Sequence, residues 1–392
     1  MARALTALAT LIAAAGLGGC FGGDGSEESR ISGRTLTIYS SLPAHGASAS
    51  AARAVAAGEG LALADAGKRA GHRRVRWVRL DSTRPGGRVW EPDLVSANAK
   101  RATADPTTVA YLGELDYGAS AVSVPITNEK GILQVSPGDG LASLTTVPPG
   151  RPQAGPARYY PTDERTFVRL TPSDLGLAEA LLLRIRGSGA HRLAVVCDDH
   201  IYGRELAAEL VARAHRDGPE PVAGEELHGD DPTAMPGLVK DLADEHPDVV
   251  VYAGVSGPLT APFLTAMARG LPNVPVFATS GVLARTSALR VAPRRVEVLS
   301  TLPPAARLPL RARRLLRRIA RRAGLRSVDP EAIYGYESMR LALDAVDRAG
   351  ANRRGVVRAA RMGDRRASTL ASDRFALYRL RHGRFTFQRE LR

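Results

Sequence analysis

Seven short runs of apolar residues recur along the 392-residue chain and are typical of β-strands. Most are unbroken runs of Val, Ile and Leu, as in parallel strands covered on both faces, rather than alternations of apolar with polar residues. The runs comprise residues 36–39, 75–80, 109–112, 132–135, 193–197, 249–252 and 274–278. Residues 50–66, 175–185 and 204–215, which lie between these runs, have the composition and spacing of helices. This alternation predicts an α/β protein with doubly wound sheets.

Two proline-rich stretches interrupt the alternation. Residues 145–165 contain five prolines, too many for a helix or a central strand, and are therefore either a functional loop or a connection between two lobes. The second stretch comprises residues 301–309. The chain then ends in a predicted hairpin over residues 375–387, with its turn at His382-Gly383. Together these features predict that the chain crosses three times between two lobes.

The first twenty residues have the features of a secretory signal. One arginine precedes an apolar run and a group of small residues, and the run is too short for a stable membrane span. Residues 17–20 resemble the bacterial lipobox, which implies a lipoprotein signal peptide over residues 1–20 and a diacylglycerol on Cys20. An ordinary secreted protein whose signal ends near a cysteine is the alternative. Residues 21–34 predict a flexible tether, so we expect an extracytoplasmic protein anchored to the outer face of the cell membrane.

The chain is basic but lacks the charge pattern of a nucleic-acid-binding protein. Its 54 Lys and Arg exceed its 40 Asp and Glu, which gives a net charge of +14, yet the arginines spread over most of the chain. Nine arginines lie between residues 307 and 326, beside a narrow apolar stripe. This segment is a solvated surface helix or, alternatively, a patch that lies against anionic lipid headgroups. We expect no nucleic-acid partner.

Motifs that would indicate an enzyme are incomplete or missing. In residues 254–258 a proline replaces the last glycine of a Gly-x-Ser-x-Gly nucleophile turn. No Gly-x-Gly-x-x-Gly follows a strand, and the sequence has neither a phosphate-binding loop nor an HExxH motif. Two cysteines are too few for a Cys-only zinc site. The sequence therefore predicts no catalytic activity, no cofactor and no metal.

Five sequence blocks follow one another in a characteristic order. They are YLGELDYGASAVSVPITNEKGILQVSP (111–137), RTFVRLTPSDLGLAEAL (165–181), AVVCDDHIYGREL (194–206), DVVVYAGVSGPLTAPFLTAMARGLPNVPVFATSGV (248–282) and IYGYESMRLALDAVDRAG (333–350). In this order they resemble the type I solute-binding proteins of ABC importers, specifically the branched-chain amino acid (leucine-binding protein) family. The resemblance implies two Rossmann-like doubly wound lobes joined by three hinge crossovers. Residues 35–168 and 303–368 would form the first lobe, and residues 169–302 and 369–392 the second.

The resemblance also implies a ligand site between the lobes. A turn at residues 116–119 would offer the N–H groups of a helix N-terminus to a carboxylate. The residues implied at the site are Tyr117, Gly118, Ala119, Ser136, Gly138, Asp139, Tyr202, Ser256 and Ser280. Many family members have a glutamate at the position of Ser280, which pairs with the ammonium group of the ligand. Here Asp116 or Asp139 would have to replace it, or the ligand is not a free α-amino acid.

A protein of this family would capture a small polar solute, an amino acid or a related compound, in the cleft between the lobes. It would then pass the solute to an ABC permease, with the lipid anchor as its link to the membrane. The alternative is a cell-surface ligand sensor or accessory lipoprotein on the same fold that is not coupled to transport. Adjacent permease and ATPase genes would favour transport, whereas an isolated gene or a neighbouring kinase gene would favour sensing.

Overall fold

Two mainly parallel β-sheets form the framework of the protein, which a computed structural model describes over residues 30–87, 89–148, 152–255, 257–283, 291–367 and 374–391. Sheet 1 consists of β1 (Thr35–Leu42), β2 (Arg69–Ala70), β3 (Arg73–Asp81), β4 (Thr108–Leu112), β5 (Leu133–Ser136) and β6 (Phe167–Arg169). Its strand order is β2-β3-β1-β4-β5-β6, and only β2 and β3 pair in antiparallel fashion. The carboxyl ends of β1, β4 and β5 therefore lie along one edge of the sheet.

Sheet 2 has the same parallel character over most of its width. It consists of β7 (Arg192–Asp198), β8 (Glu220–Leu227), β9 (Val249–Ala253), β10 (Val276–Thr279), β11 (Val296–Ser300), β12 (Phe375–Arg381) and β13 (Arg384–Leu391). The strand order is β13-β12-β11-β10-β9-β7-β8, and β12 is antiparallel to both of its neighbours. The carboxyl ends of β9, β10 and β11 again share one edge.

Helices cover both sheets and define two lobes. Lobe 1 contains sheet 1 and the helices α1 (Ala49–Asp65), α2 (Pro92–Ala104), α3 (Ser120–Glu129), α8 (Leu310–Ala323), α9 (Ala332–Ala349) and α10 (Arg353–Ala367). Lobe 2 contains sheet 2 and the helices α4 (Asp174–Arg186), α5 (Ile201–Asp217), α6 (Met235–Asp244) and α7 (Thr260–Gly270). The chain passes between the lobes after β6, after β11 and after α10. The predicted α/β fold with two doubly wound lobes and three crossings is thus confirmed.

Two glycines allow helices α1 and α9 to cross in close contact. A Cβ atom at Gly58 of α1 would overlap the carbonyl oxygen of Ala332, and one at Gly335 of α9 would overlap the carbonyl oxygen of Val55. Neither position accepts a side chain without movement of the helices, because the two backbones themselves are in contact. This crossing fixes the N-terminal end of α9 at the boundary between the lobes.

Most elements predicted from the sequence are present. All seven strands and all three helices are found, and the terminal hairpin turns at His382-Gly383. Strands β2, β6, β8 and β11 were not predicted, since β2 and β6 have only two and three residues, β11 is interrupted by Glu297, and β8 is a polar edge strand. Residues 301–309 connect the lobes, whereas residues 145–165 lie between β5 and β6 of the same sheet and do not.

The N-terminal segment and helix α8 occupy the outside of lobe 1. Ile31 is buried and its N–H donates to the Ala351 carbonyl at 2.7 Å, so the folded body includes residues that the sequence assigned to the tether. The signal segment, Cys20 and residues 21–29 lie outside the described residues. Helix α8 buries Leu316 and Ile319, while all nine arginines between residues 307 and 326 are exposed. Among the described residues, no helix has the length and apolar character needed to cross a membrane.

Candidate ligand-binding cleft

A cavity of about 370 Å³ lies between the lobes, at the carboxyl ends of the parallel strands. Lobe 1 contributes residues that follow β1, β4 and β5, and lobe 2 contributes residues that follow β9, β10 and β11. Open α/β sheets bind ligands at this edge. The volume is within the range of cavities that hold small organic molecules. Position and size therefore identify this cavity as the candidate ligand site.

Five segments build the lobe 1 wall of the cavity. The segment 47–51 begins helix α1, residues 115–117 follow β4, and Gly138 follows β5. Trp90, which comes just before α2, adds an indole ring. Residues 329–334, at the N-terminal end of α9, complete this wall because the crossing of α9 with α1 holds them there.

The lobe 2 wall is more apolar. Val255 follows β9, and Ser280 follows β10. Residues 300–305, which connect β11 with lobe 1, form the floor together with Thr171 from the first crossing. Tyr378 reaches the cavity from β12. Two of the three crossings, at Thr171 and at residues 301–305, therefore contribute to the site as well as to the hinge.

The lobes touch beside the cavity. The Tyr117 and Ser280 hydroxyl oxygens are 2.6 Å apart, which joins the loop after β4 to the loop after β10. The Tyr117 ring also stacks on Tyr202 of α5, with ring centroids 4.6 Å apart. Gly118 has a left-handed backbone (φ +81°), and a Cβ there would come within 2.7 Å of Ile201. Close approach of the lobes thus depends on a glycine in this turn.

The N-terminal N–H groups of α3 are already occupied by a carboxylate of the protein. The Gly118 N–H donates to one oxygen of Asp139 at 2.9 Å, and the Ser120 N–H donates to the other at 2.8 Å. The Leu141 N–H adds a third bond to Asp139 at 3.1 Å. Asp139 is fully buried. The helix terminus that the resemblance implied for a ligand carboxylate is therefore satisfied within lobe 1.

The structure places the predicted site residues at different depths. Tyr117, Gly138 and Ser280 line the cavity. The others that are described lie behind its wall and are buried: Gly118, Ala119, Ser136, Asp139 and Tyr202. Ser136 supports the loop after β5, since its hydroxyl donates to the Glu114 carbonyl and accepts from the Asp139 N–H. Ser256 falls outside the described residues.

Several cavity residues were not predicted as site residues. The principal ones are Trp90, Thr171, Glu331, Tyr334 and Tyr378. The sequence offered a signal for Glu331, because it follows a proline and lies two residues before the block that resembles the family's helix. Asp116 was considered as a replacement for the missing glutamate, and it does line the cavity.

Burial raises the pKa values of the two partly buried carboxyl groups in the cavity wall. The pKa of Asp116 rises to about 6; the nearby Asp139 carboxylate adds to this rise, whereas a contact with the Ser48 hydroxyl and the charge of His200 oppose it. The pKa of Glu331 rises to about 7, with a further contribution from Asp329. No group of three His, Cys, Asp or Glu side chains in the described part of the chain is placed to hold a metal ion.

Comparison with known proteins identifies the family. The family model described as "periplasmic binding protein" matches residues 36–369. No curated protein sequence matches the chain. The solved structures that are similar include the leucine-binding protein LivK from Thermotoga maritima, with 19% identity and a TM-score of 0.71 over 91% of this chain and 98% of that one.

Two further structures show the same fold at lower identity. A solute-binding protein from R. palustris, in complex with benzoate, has 16% identity and a TM-score of 0.69 over 90% of this chain and 95% of that one. The LivJ protein from Streptococcus pneumoniae, in complex with isoleucine, has 14% identity and a TM-score of 0.66 over 90% and 100%. The resemblance seen in the five sequence blocks is therefore confirmed: the chain belongs to the periplasmic binding protein family, with the two-lobed fold of its type I members.

Proposed function

We propose that the protein binds a small polar solute in the cavity between its lobes and delivers it, chemically unchanged, to an ABC importer. The observation that carries this proposal is that both lobes wall one cavity of about 370 Å³. A ligand that contacts both walls stabilises the closed state, because it loses contacts when the lobes separate. The Tyr117–Ser280 hydrogen bond contributes only about 1 kcal/mol to closure by itself.

The site residues of this proposal fall into two groups. Tyr117, Gly138 and Ser280 would contact the solute, since they line the cavity. The buried residues behind them would hold the wall in place: Gly118, Ala119, Ser136, Asp139 and Tyr202. Ser256 follows the cavity-lining Val255 in sequence, and we propose it as a further contact.

Structural relatives support a small ligand. The LivJ protein was solved with isoleucine and the R. palustris protein with benzoate, both compact molecules with one charged end. The cavity of this chain has a volume suited to molecules of that size. We therefore propose an amino acid-like solute rather than a peptide or a polymer.

We propose that a lipid on Cys20 anchors the protein to the outer face of the cell membrane. The support is the lipobox-like sequence at residues 17–20 and the Gly/Ser-rich segment after it. A Cys20→Ser variant removes the sulfur that would carry the lipid, so the protein should move from the membrane fraction to the medium or the soluble extracytoplasmic fraction. Membrane retention of the variant would contradict the lipid anchor without affecting the proposal for the cavity.

A thermal-shift screen of the purified full chain tests solute binding. Any solute that binds only the folded state raises the melting temperature by mass action, by an amount that grows with its concentration. We expect at least one compound from a panel of amino acids, amides, amines and small carboxylates to do so. Loss of cellular uptake of that compound after gene deletion would favour transport over sensing. A folded protein that responds to no compound of the panel would contradict the proposal.

A further inference from the structure

The described residues of the cavity wall include acidic groups and no basic ones. Three carboxylates line it: Asp116, Asp329 and Glu331. Among the described residues of the wall there is no Lys, Arg or His, although the chain contains 54 Lys and Arg. A cavity with this wall has a negative potential, which favours a cation and disfavours an anion.

Protein partners leave this charge largely uncompensated. Asp329, at the exposed end of the wall, accepts a hydrogen bond from the Ser50 hydroxyl at 2.9 Å. Asp116 contacts the Ser48 hydroxyl, and a hydroxyl carries no charge. No described ion pair includes Glu331, which stands at the N-terminal end of α9. A cationic ligand would therefore find at least two carboxylates without a charged partner in the wall.

His200, whose charge acts on Asp116, has partners of its own. His200 lies behind Trp90, with ring centroids 6.1 Å apart, and is not part of the wall. Its Nδ1 atom is 3.7 Å from the carboxylate of Asp198 and 3.6 Å from that of Asp199. The contact with Asp198 raises the pKa of His200. Two carboxylates outside the wall therefore pair with His200, and its charge offsets only part of the charge of Asp116.

A ligand carboxylate would not find the free N–H donors that the family resemblance implies for it. The N–H groups of Gly118 and Ser120 already donate to Asp139, so the N-terminus of α3 does not offer them to a second anion. No basic side chain of the described wall replaces them. A carboxylate moved from water into the cavity would lose hydration and approach three groups of like charge.

Aromatic rings complete the environment of a cation. Trp90, Tyr117, Tyr334 and Tyr378 line the cavity. Aromatic faces attract organic cations through their quadrupoles, and most strongly where water is excluded. The Tyr334 hydroxyl is buried beside Thr171 and Thr301, and no described residue lies in the geometry of a hydrogen bond with it.

We propose that the ligand is a small organic cation, an amine or a quaternary ammonium compound, that has no carboxylate. Asp116 and Glu331 neutralise its positive group, and the aromatic rings enclose its carbon atoms. This inference rests on the proposed solute-binding function and replaces the amino acid-like solute with one class of ligand, an amine or ammonium compound without the carboxylate. Burial raises the pKa of both carboxyl groups, so a bound cation also stabilises their ionised forms.

Three compounds with one carbon skeleton test the inference. Leucine carries both charges, isoamylamine only the ammonium group and isocaproate only the carboxylate. Titration calorimetry and thermal shift with the full chain should give affinities in the order isoamylamine, leucine, isocaproate, with isoamylamine at least about tenfold tighter than isocaproate. Benzylamine and benzoate provide the same contrast on an aromatic skeleton, and choline tests a quaternary ammonium.

The possible results separate this inference from the proposed function. If leucine, isocaproate or benzoate binds most tightly, the proposal of a cationic ligand is wrong, whereas the solute-binding function stands. No binding by these compounds or by the wider panel, in a protein that unfolds cooperatively, would overturn both. Binding of any amine or ammonium compound in preference to its carboxylate counterpart supports both.

Carboxamide variants test the two carboxylates directly. Glu331→Gln and Asp116→Asn keep the shape of the side chain and remove its charge, so each should weaken binding of isoamylamine about tenfold. The control is Asp344→Asn, because Asp344 lies farther along α9 and outside the cavity. Its affinity should change by less than about twofold. Equal affinity of all three variants, each with an unchanged melting temperature without ligand, would show that the carboxylates do not pair with the cation.

Discussion

The outer face of helix α8 and the part of the cavity wall that lobe 1 contributes lie in the same lobe but carry opposite charges. The outer face has seven exposed arginines, and Arg307 and Arg326 flank the helix, whereas the described wall has three carboxylates and no basic side chain. Residues 35–168 and 303–368 contain 32 Lys and Arg against 18 Asp and Glu, while residues 169–302 and 369–392 contain 19 of each kind. The more basic half of the chain thus supplies all three carboxylates of the wall.

This difference shows why net charge is a poor guide to the ligand. An arginine on the outer face stays hydrated and contributes little to stability, so composition can drift there at low cost. An arginine in the cavity would lose hydration, pair with Asp116 or Glu331 and occupy the site itself. The net charge of +14 would suggest an anionic ligand, whereas the local wall favours a cation.

A lysine placed in the cavity should have the largest effect on binding. In Ser280→Lys, the new ammonium group competes with the ligand for the wall carboxylates and repels it. At a separation of about 5 Å and an effective dielectric constant near 20, this repulsion is about 3 kcal/mol, or more than about a hundredfold in the dissociation constant of isoamylamine. Calorimetric titration measures this change.

Two controls distinguish charge from other effects of that substitution. Ser280→Met has a side chain of similar length without charge and also loses the hydrogen bond to Tyr117, so it should weaken binding much less than Ser280→Lys. Replacement of Arg314, Arg321 and Arg322 by Gln removes three charges from the outer face and should change the affinity by less than about twofold. Similar losses in the lysine and methionine variants would contradict the electrostatic comparison.

A buried glutamate away from the cavity should make stability depend on pH. Glu59 is fully buried and accepts a hydrogen bond from the Ser40 hydroxyl at 2.6 Å, and burial raises its pKa from the usual 4.5 to about 8. Between these values the folded state binds more protons than the unfolded chain, so the free energy of unfolding falls as pH rises, by at most about 1.4 kcal/mol per pH unit.

The Glu59→Gln variant should remove much of this slope. Urea unfolding at pH 5 and pH 8 should show a loss of stability in the variant that is about 3 kcal/mol smaller than the loss in the parent protein. Glu129→Gln serves as the control because Glu129 is exposed at the end of α3. If the free energy of unfolding of Glu59→Gln falls with pH as steeply as that of the parent, a group other than Glu59 binds the proton in the folded state.

Local sequence patterns were sufficient for most of the fold. Continuous apolar runs predicted the central strands because those strands are buried on both faces, as β4 and β9 are throughout. The same criterion fails for β8, an edge strand whose sequence EPVAGEEL is only partly buried. Glu297 interrupts the run in β11, and only the structure shows that Arg184, Arg295 and Arg379 neutralise it.

The site was predictable only where it depends on a local turn. Tyr117, Gly138 and Ser280 lie within five residues of the ends of strands, so their place at the sheet edge follows from the strand pattern and the family resemblance. Glu331 reaches the cavity because α9 crosses α1 at Gly58 and Gly335, a contact between segments more than 250 residues apart. Occupation of the α3 N-terminus by Asp139 likewise depends on how the loop after β5 folds back.

A methyl group added at the α1–α9 crossing should shift the cavity wall without changing its charge. In Gly335→Ala the new Cβ overlaps the Val55 carbonyl oxygen, so the helices must separate, at a cost of about 2 kcal/mol in the free energy of unfolding. The matched control is Gly237→Ala in α6, where a Cβ meets nothing within 4 Å and should be neutral or slightly stabilising. Equal stability of the two variants in urea would contradict the close crossing.

Loss of the ring that packs behind Tyr117 should have the smallest effect on binding of the substitutions in the cavity wall and behind it. Tyr202 is fully buried and lies behind Tyr117, so Tyr202→Ala leaves Tyr117 free to move and should weaken binding of isoamylamine about tenfold. Phe263→Ala removes an equally buried ring of lobe 2 that does not line the cavity and should cost similar stability with little change in affinity. If the two variants bind isoamylamine equally well, Tyr202 belongs to the core of lobe 2 and not to the binding site.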